Sequence, residues 1–118
     1  MILALLLAAS APSTAPAPVL HFAETRSIAY RNCIAAEHGR QPVLTVAQIG
    51  HGRCSGARAR LFADAHSYVR YGWRAVRMDA RQAKRLKAQH KINAEREVVR
   101  FEAALQAWLS SQDIATNG

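Results

Sequence analysis

Between Ala80 and Ser111 the chain contains neither glycine nor proline. Those are the two residues that most strongly oppose a helix interior, so this long run commits the C-terminal third to helix. In its second half Ala94, Val98, Phe101, Leu105 and Trp108 recur at alternating spacings of four and three. That pattern draws one apolar stripe along a helix. Glu95, Arg96, Glu97, Arg100 and Glu102 alternate in sign around it. Barely two heptads do not specify a coiled coil, so the stripe is expected to dock on the rest of its own chain.

The upstream segments read as shorter helices. Over 21–39, Phe22, Ala29, Cys33 and Ala36 fall at helical spacing, with Tyr30 and Ile34 beside them. Glu24 stands in the first turn, where the helix dipole favours a carboxylate, and Gly39 followed by Pro42 offers a stop. Thr45 and Gln48 fit a capping box, with Leu44 and Ile49 at the staple positions. This second helix is expected to run through Cys54 and to break near Gly56. A third, over 57–71, carries Leu61, Ala65 and Tyr68 on one face. Gly72 is a candidate interruption, and Asp79 with Gln82 forms another capping box. Residues 57–111 therefore make one helix or two. With no strand-like alternation and no internal repeat, the expected fold is all-α: a disulfide-linked helical hairpin followed by one or two longer amphipathic helices.

The N-terminus sets the expected compartment. Ile2 to Ala9 is an uninterrupted apolar run, followed by small residues. This is the layout of a secretory signal peptide, and it is too short to span a bilayer, which takes about 20 residues. Cleavage after Ser10 avoids placing a proline directly after the cut. The expected organisation is a signal peptide over 1–10, a flexible Pro/Ala-rich tether over 11–20, a helical domain over 21–111 and a disordered polar tail over 112–118. The expected location is outside the cytoplasm, periplasmic or secreted. In such a compartment Cys33 and Cys54, one on each arm of the hairpin, are disulfide candidates. Closing a loop of about 20 residues stabilises a fold by about 3 kcal/mol on chain-entropy grounds.

The cysteines have a rival reading. Cys33, His38, His51 and Cys54 form a Cys-x4-His-x12-His-x2-Cys arrangement around the same hairpin. Four such ligands suit zinc, although the spacing matches no common finger and Cys33 and His38 do not share a helical face. No constellation for catalysis emerges. Asp64 and His66 fall on different sides of a helix, and neither Ser55 nor Ser67 has a base with an orienting acid. Phosphate-cradling loops, haem attachment and paired carboxylates are equally missing from the sequence, and no cofactor is expected.

Charge supplies the leading functional expectation. Sixteen Lys and Arg against eight Asp and Glu leave a net charge of +8 and a pI near 10.5. Much of the apolar content is alanine, so the core is thin and a homo-oligomer is compatible with it. Arg70, Arg77, Lys84 and Lys91 are spaced by sevens, with Arg74 and Arg81 between them. On one continuous helix over 70–91 these six cations make a stripe about 30 Å long. Trp73 serves as an apolar anchor on the adjacent face. The competing account is the solvated outer face of a bundle helix. The expectation is a non-enzymatic binding protein whose basic helix contacts an anionic partner. That partner would be a membrane surface, lipopolysaccharide, cell-wall polymer or acidic protein. Nucleic acid ranks below these, because no stacking platform or known module is visible.

Overall fold

The structure, a computed structural model, describes residues 16–70 and 78–117. The apolar leader, its cleavage site and Gly72 lie outside the described residues. Among the described residues a short 3-10 turn, His21–Ala23, leads into four helices: α1 (Glu24–Arg40), α2 (Val46–His51), α3 (Ser55–Arg70) and α4 (Ala80–Asn117). There is no strand among the described residues, and the fold is all-α, its hairpin closed by a Cys33–Cys54 disulfide. The molecule is elongated, 67 × 34 × 20 Å. Its long dimension follows from α4, whose 38 residues extend about 57 Å at the rise of an α-helix.

Pro18 and Leu20, the described residues just before the 3-10 turn, are bonded to α1. The Pro18 carbonyl accepts from Arg31 Nη1 at 3.0 Å, and Leu20 N donates to Ser27 Oγ at 3.1 Å. The Ser27 hydroxyl in turn donates to the Glu24 carbonyl at 2.9 Å, so a buried serine is satisfied on both sides. The buried face of this segment is Ala23, Ser27, Tyr30 and Ile34. Ala29 and Ala36, expected on that face, are exposed. The helix is turned so that its two largest central side chains enter the core, which buries more apolar area than alanines do. Gly39 does not end α1 either; the helix continues to Arg40, and Gln41 N donates back to the Glu37 carbonyl.

Both capping boxes form. Gln48 N donates to Thr45 Oγ1 at 3.2 Å and Thr45 N to Gln48 Oε1 at 2.8 Å. Asp79 and Gln82 repeat the exchange at 2.8 and 3.3 Å. The second box matters for topology: Met78 and Asp79 are non-helical and α4 begins at Ala80, so 57–111 is not one continuous helix. The break after α2 is at Gly52 rather than Gly56. Gly52 N and Cys54 N both donate to the Ile49 carbonyl, forming a tight turn that delivers Cys54 to Cys33. Gly56 sits inside α3 with open space around it.

The core lies where α3 crosses α4 and α1 closes over them. Leu61 and Ala65 of α3 meet Ala94, Val98, Phe101, Leu105 and Leu109 of α4, with Tyr30, Ile34, Val46, Ile49 and Cys54 completing the cluster. Leu109 takes the last buried position on the stripe, and Trp108 is half-buried beside it. A straight helix drifts about 20° per heptad against a seven-residue repeat, so the final step falls one residue later. Tyr68 is more than half exposed but stacks on Phe22, with ring centroids 4.1 Å apart. Residues 112–117, expected as a disordered tail, continue α4 to Asn117.

Candidate functional site

The first half of α4 differs from the second in what it meets. From Arg81 to Gln89 every residue is exposed except Leu86, which is half-buried. Four cations, Arg81, Lys84, Arg85 and Lys87, stand on this stretch, and Lys91 follows it as a fifth. No carboxylate occurs between Asp79 and Glu95. Among the described residues none of the five cations makes a salt bridge, and all five are exposed. Beneath them, Met78, Ala80, Ala83 and Leu86 line an open groove of about 580 Å³ edged by Lys84, Lys87 and His90.

This arm holds part of the expected basic stripe. Arg81, Lys84 and Lys91 are on it, whereas Arg70 is the last residue of α3, a different helix. Trp73, Arg74 and Arg77 lie outside the described residues. The single helix over 70–91 is not formed, because the chain leaves helical geometry at Met78 and Asp79. Arg85 and Lys87 belong to the arm but fall off the seven-residue grid. Their signal was the absence of any acid nearby, not a spacing.

The Cys/His cluster does not assemble. Cys33 and Cys54 are bonded to each other, with Cα atoms 5.9 Å apart, so neither sulfur is a free thiolate ligand. His38 Nε2 lies 3.0 Å from Asp113 Oδ2, tying the end of α1 to the end of α4. His51 is exposed at the last position of α2. No group of three or more metal-binding side chains occurs among the described residues.

A polar network that sequence reasoning missed sits in the core. Arg58 of α3 grips Glu102 of α4 with two bonds, Nε to Oε2 at 2.8 Å and Nη2 to Oε1 at 3.1 Å. It also reaches Glu95 one heptad earlier, Nη2 to Oε1 at 2.5 Å. The Tyr30 hydroxyl donates to Glu102 Oε2 from the α1 side. Side chains of Arg58 and Glu102 are 11% and 8% exposed, against 44% for Glu95. Burial, then the Glu102 hydrogen bond, pushes the Tyr30 phenol far above its ordinary value of 10, so it stays a neutral donor. The Glu102 hydrogen bond likewise raises Arg58 and keeps it cationic. Both Glu102 oxygens are engaged, and the network clamps α1, α3 and α4 together.

Gly50 is part of this arrangement. A Cβ there would collide with the Tyr30 hydroxyl and come within 2.8 Å of Glu102 Oε2, so only glycine lets α2 pass over the pair. A shallow groove of about 340 Å³ beside Gly50 also exposes His51, Ser55 and Phe62. A second locality is electrostatically unlike this one. Near the end of α3, His66 Nε2 is buried without a hydrogen-bond partner among the described residues. Burial lowers the His66 pKa from its ordinary 6.5, and electrostatic interaction with Arg70, His90 and Lys91 lowers it further. The imidazole stacks on Phe62 at 6.0 Å between ring centroids.

The chain matches no protein-family model, no curated protein and no solved structure. Its fold class therefore rests on its own helices, and any function on its own chemistry. Among the described residues no helix is long and apolar enough to cross a membrane.

Proposed function

We propose that this chain is an exported, non-enzymatic binding protein that presents the first half of α4 to an anionic partner. The observation that carries the reading is the stretch between Asp79 and Glu95: five exposed cations, no carboxylate, and no ion pair among the described residues. Three cations elsewhere on the helices are matched, whereas Arg26, Arg31, Arg60, Arg70 and Arg96 make no salt bridge among the described residues. Arg40 has Glu37, Arg58 has Glu95 and Glu102, and Arg100 has Glu97. An ordinary solvated helix face mixes both signs, since like charges spaced three or four apart on a helix repel. A segment that tolerates that repulsion, on a rigid helix, is suited to meet negative charge from outside. Export is supported by the apolar run Ile2–Ala9 and agrees with a disulfide, the form cysteines take in oxidising compartments.

The test uses a soluble polyanion. Binding of labelled inorganic polyphosphate, followed by fluorescence anisotropy, should be strong at about 0.02 M salt and lost at about 0.5 M, where charges are screened within a few ångströms. Replacing Arg81, Lys84, Arg85 and Lys87 together by Glu should abolish it with the circular dichroism spectrum unchanged. Salt-insensitive binding, or binding that survives the quadruple replacement, would refute the assignment.

A further inference from the structure

We propose that the anionic partner is a phospholipid surface, and that it meets the outer face of α4 from Arg81 to Val99. This inference rests on the function proposed above and adds the chemistry of the partner. It comes from the apolar residues on that face rather than the cations. Of the large apolar side chains left most exposed, Val43 and Tyr68 stand elsewhere, whereas Ile92 at 53% and Val99 at 50% share the helix that carries the cations. They are one heptad apart, so they lie on the same side of the helix. Exposed Ala88 and Ala103 continue their line by one turn in each direction.

At 100° per residue, Lys84 and Lys91 flank this line on one side and Arg96 on the other, while Arg81 and Arg85 extend it toward the start of the helix. All five are exposed. The face contains one carboxylate, Glu95, and Arg58 already holds it from the core side. The result is a face about 27 Å long from Arg81 to Val99, with cations in its first turns and beside an apolar line that starts at Ala88. A soluble polyanion has no use for Ile92 and Val99. A bilayer surface does, because phosphates lie level with the helix and hydrocarbon begins just beneath them. No described helix is apolar enough to cross a membrane, so the geometry is that of a helix lying in the plane of the surface.

The experiment is cosedimentation of the disulfide-intact protein with vesicles of phosphatidylcholine alone or with phosphatidylglycerol added, beside the polyphosphate assay. The unaltered protein should bind only the anionic vesicles. Ile92→Ser with Val99→Ser, both at exposed positions, should weaken vesicle binding about tenfold through lost apolar transfer and leave polyphosphate binding unchanged. Separately, Ile92→Trp should shift its fluorescence to the blue on anionic vesicles and be quenched by brominated lipid. If polyphosphate binds but vesicles do not, the lipid assignment fails and the anion-binding role stands. It fails in the same way if the serine variant binds vesicles as tightly as the parent, if the Ile92→Trp emission stays unshifted, or if a DNA duplex outcompetes the vesicles. If neither polyphosphate nor vesicles bind, both proposals fall.

Discussion

The two halves of α4 are one uninterrupted helix with opposite surroundings. From Ala94 to Leu109 every third or fourth side chain is buried against α1 and α3, and even the charged Glu102 is drawn into the core. From Arg81 to Gln89 almost nothing is covered. Helix propensity is good in both, since each lacks glycine and proline and is rich in Ala, Arg, Lys, Glu and Gln. The contrast shows that backbone geometry is common property while tertiary energy is local. The packed half makes the domain, and the exposed half is held out by its continuity with the packed one. Substitutions should therefore separate cleanly: large effects on stability in one half, and almost none in the other.

The largest effect should come from the buried clamp. Arg58→Met leaves the Glu102 carboxylate buried with only Tyr30 to answer it. Breaking one side of a buried pair in this way costs about 3–5 kcal/mol, measured here as a lower urea midpoint. The triple variant Tyr30→Phe, Arg58→Met, Glu102→Leu should recover most of that loss, because no group is then left buried and unpaired. If the single and triple variants unfolded at the same midpoint, packing around Arg58 rather than its charge would be what matters. Gly50→Ala should resemble the single variant, since its methyl group displaces the Tyr30 hydroxyl.

Next comes the disulfide, which joins residues 21 apart. Cys33→Ser with Cys54→Ser should lower stability by about 3 kcal/mol through the larger freedom of the unfolded chain. Far-ultraviolet circular dichroism against urea, with and without reductant, reads it directly. The parent should fall to the variant's midpoint on reduction, while the variant should not respond at all.

These two features differ in how far they were legible. The disulfide, both capping boxes and the stripe from Ala94 to Leu105 were readable because each depends on local spacing or on two residues of one rare type. The clamp was not. Arg58 lies 37 residues from Glu95 and 44 from Glu102, and charges on an amphipathic helix ordinarily face water. Nothing in local sequence says that Glu102 turns inward; only the crossing of α3 over α4 does. The buried face of α1 was misread for a related reason. Spacing alone fits Ala29 and Ala36 as well as Tyr30 and Ile34, and side-chain size decides between them. The basic arm was read in part, because a seven-residue grid found Arg81, Lys84 and Lys91 but ran on through Met78 and Asp79, where the helix is interrupted.

A smaller effect is expected at the junction of the two halves, where His66 of α3 faces Arg70, His90 and Lys91. The folded state holds the His66 pKa below the ordinary 6.5, so above that value both states are neutral and His66 contributes no pH dependence. As pH falls through about 6.5, the unfolded chain takes up a proton that the folded site resists. Stability is then lost progressively until the lowered folded pKa is passed, and is constant below it. The urea midpoint should decline on acidification, and His66→Phe, which keeps a ring against Phe62, should show a shallower decline. Parallel pH profiles for the two proteins would assign the dependence to other groups.

The smallest effect on stability belongs to the arm, and it sharpens the comparison most. Lys84→Ala and Arg85→Ala remove exposed charges that make no salt bridge among the described residues. Alanine has the better helix propensity, and the change relieves repulsion from Arg81 and Lys87 at Lys84 and from Arg81 at Arg85. The urea midpoint should therefore stay within about 0.5 kcal/mol of the parent or rise slightly. Affinity for anionic vesicles should nevertheless drop, because each cation near such a surface contributes about 1 kcal/mol. A loss of binding without a loss of stability would mark these cations as kept for a partner rather than for the fold. A loss of stability would mean that the arm is bonded into the domain, and the division of α4 into two halves would fail.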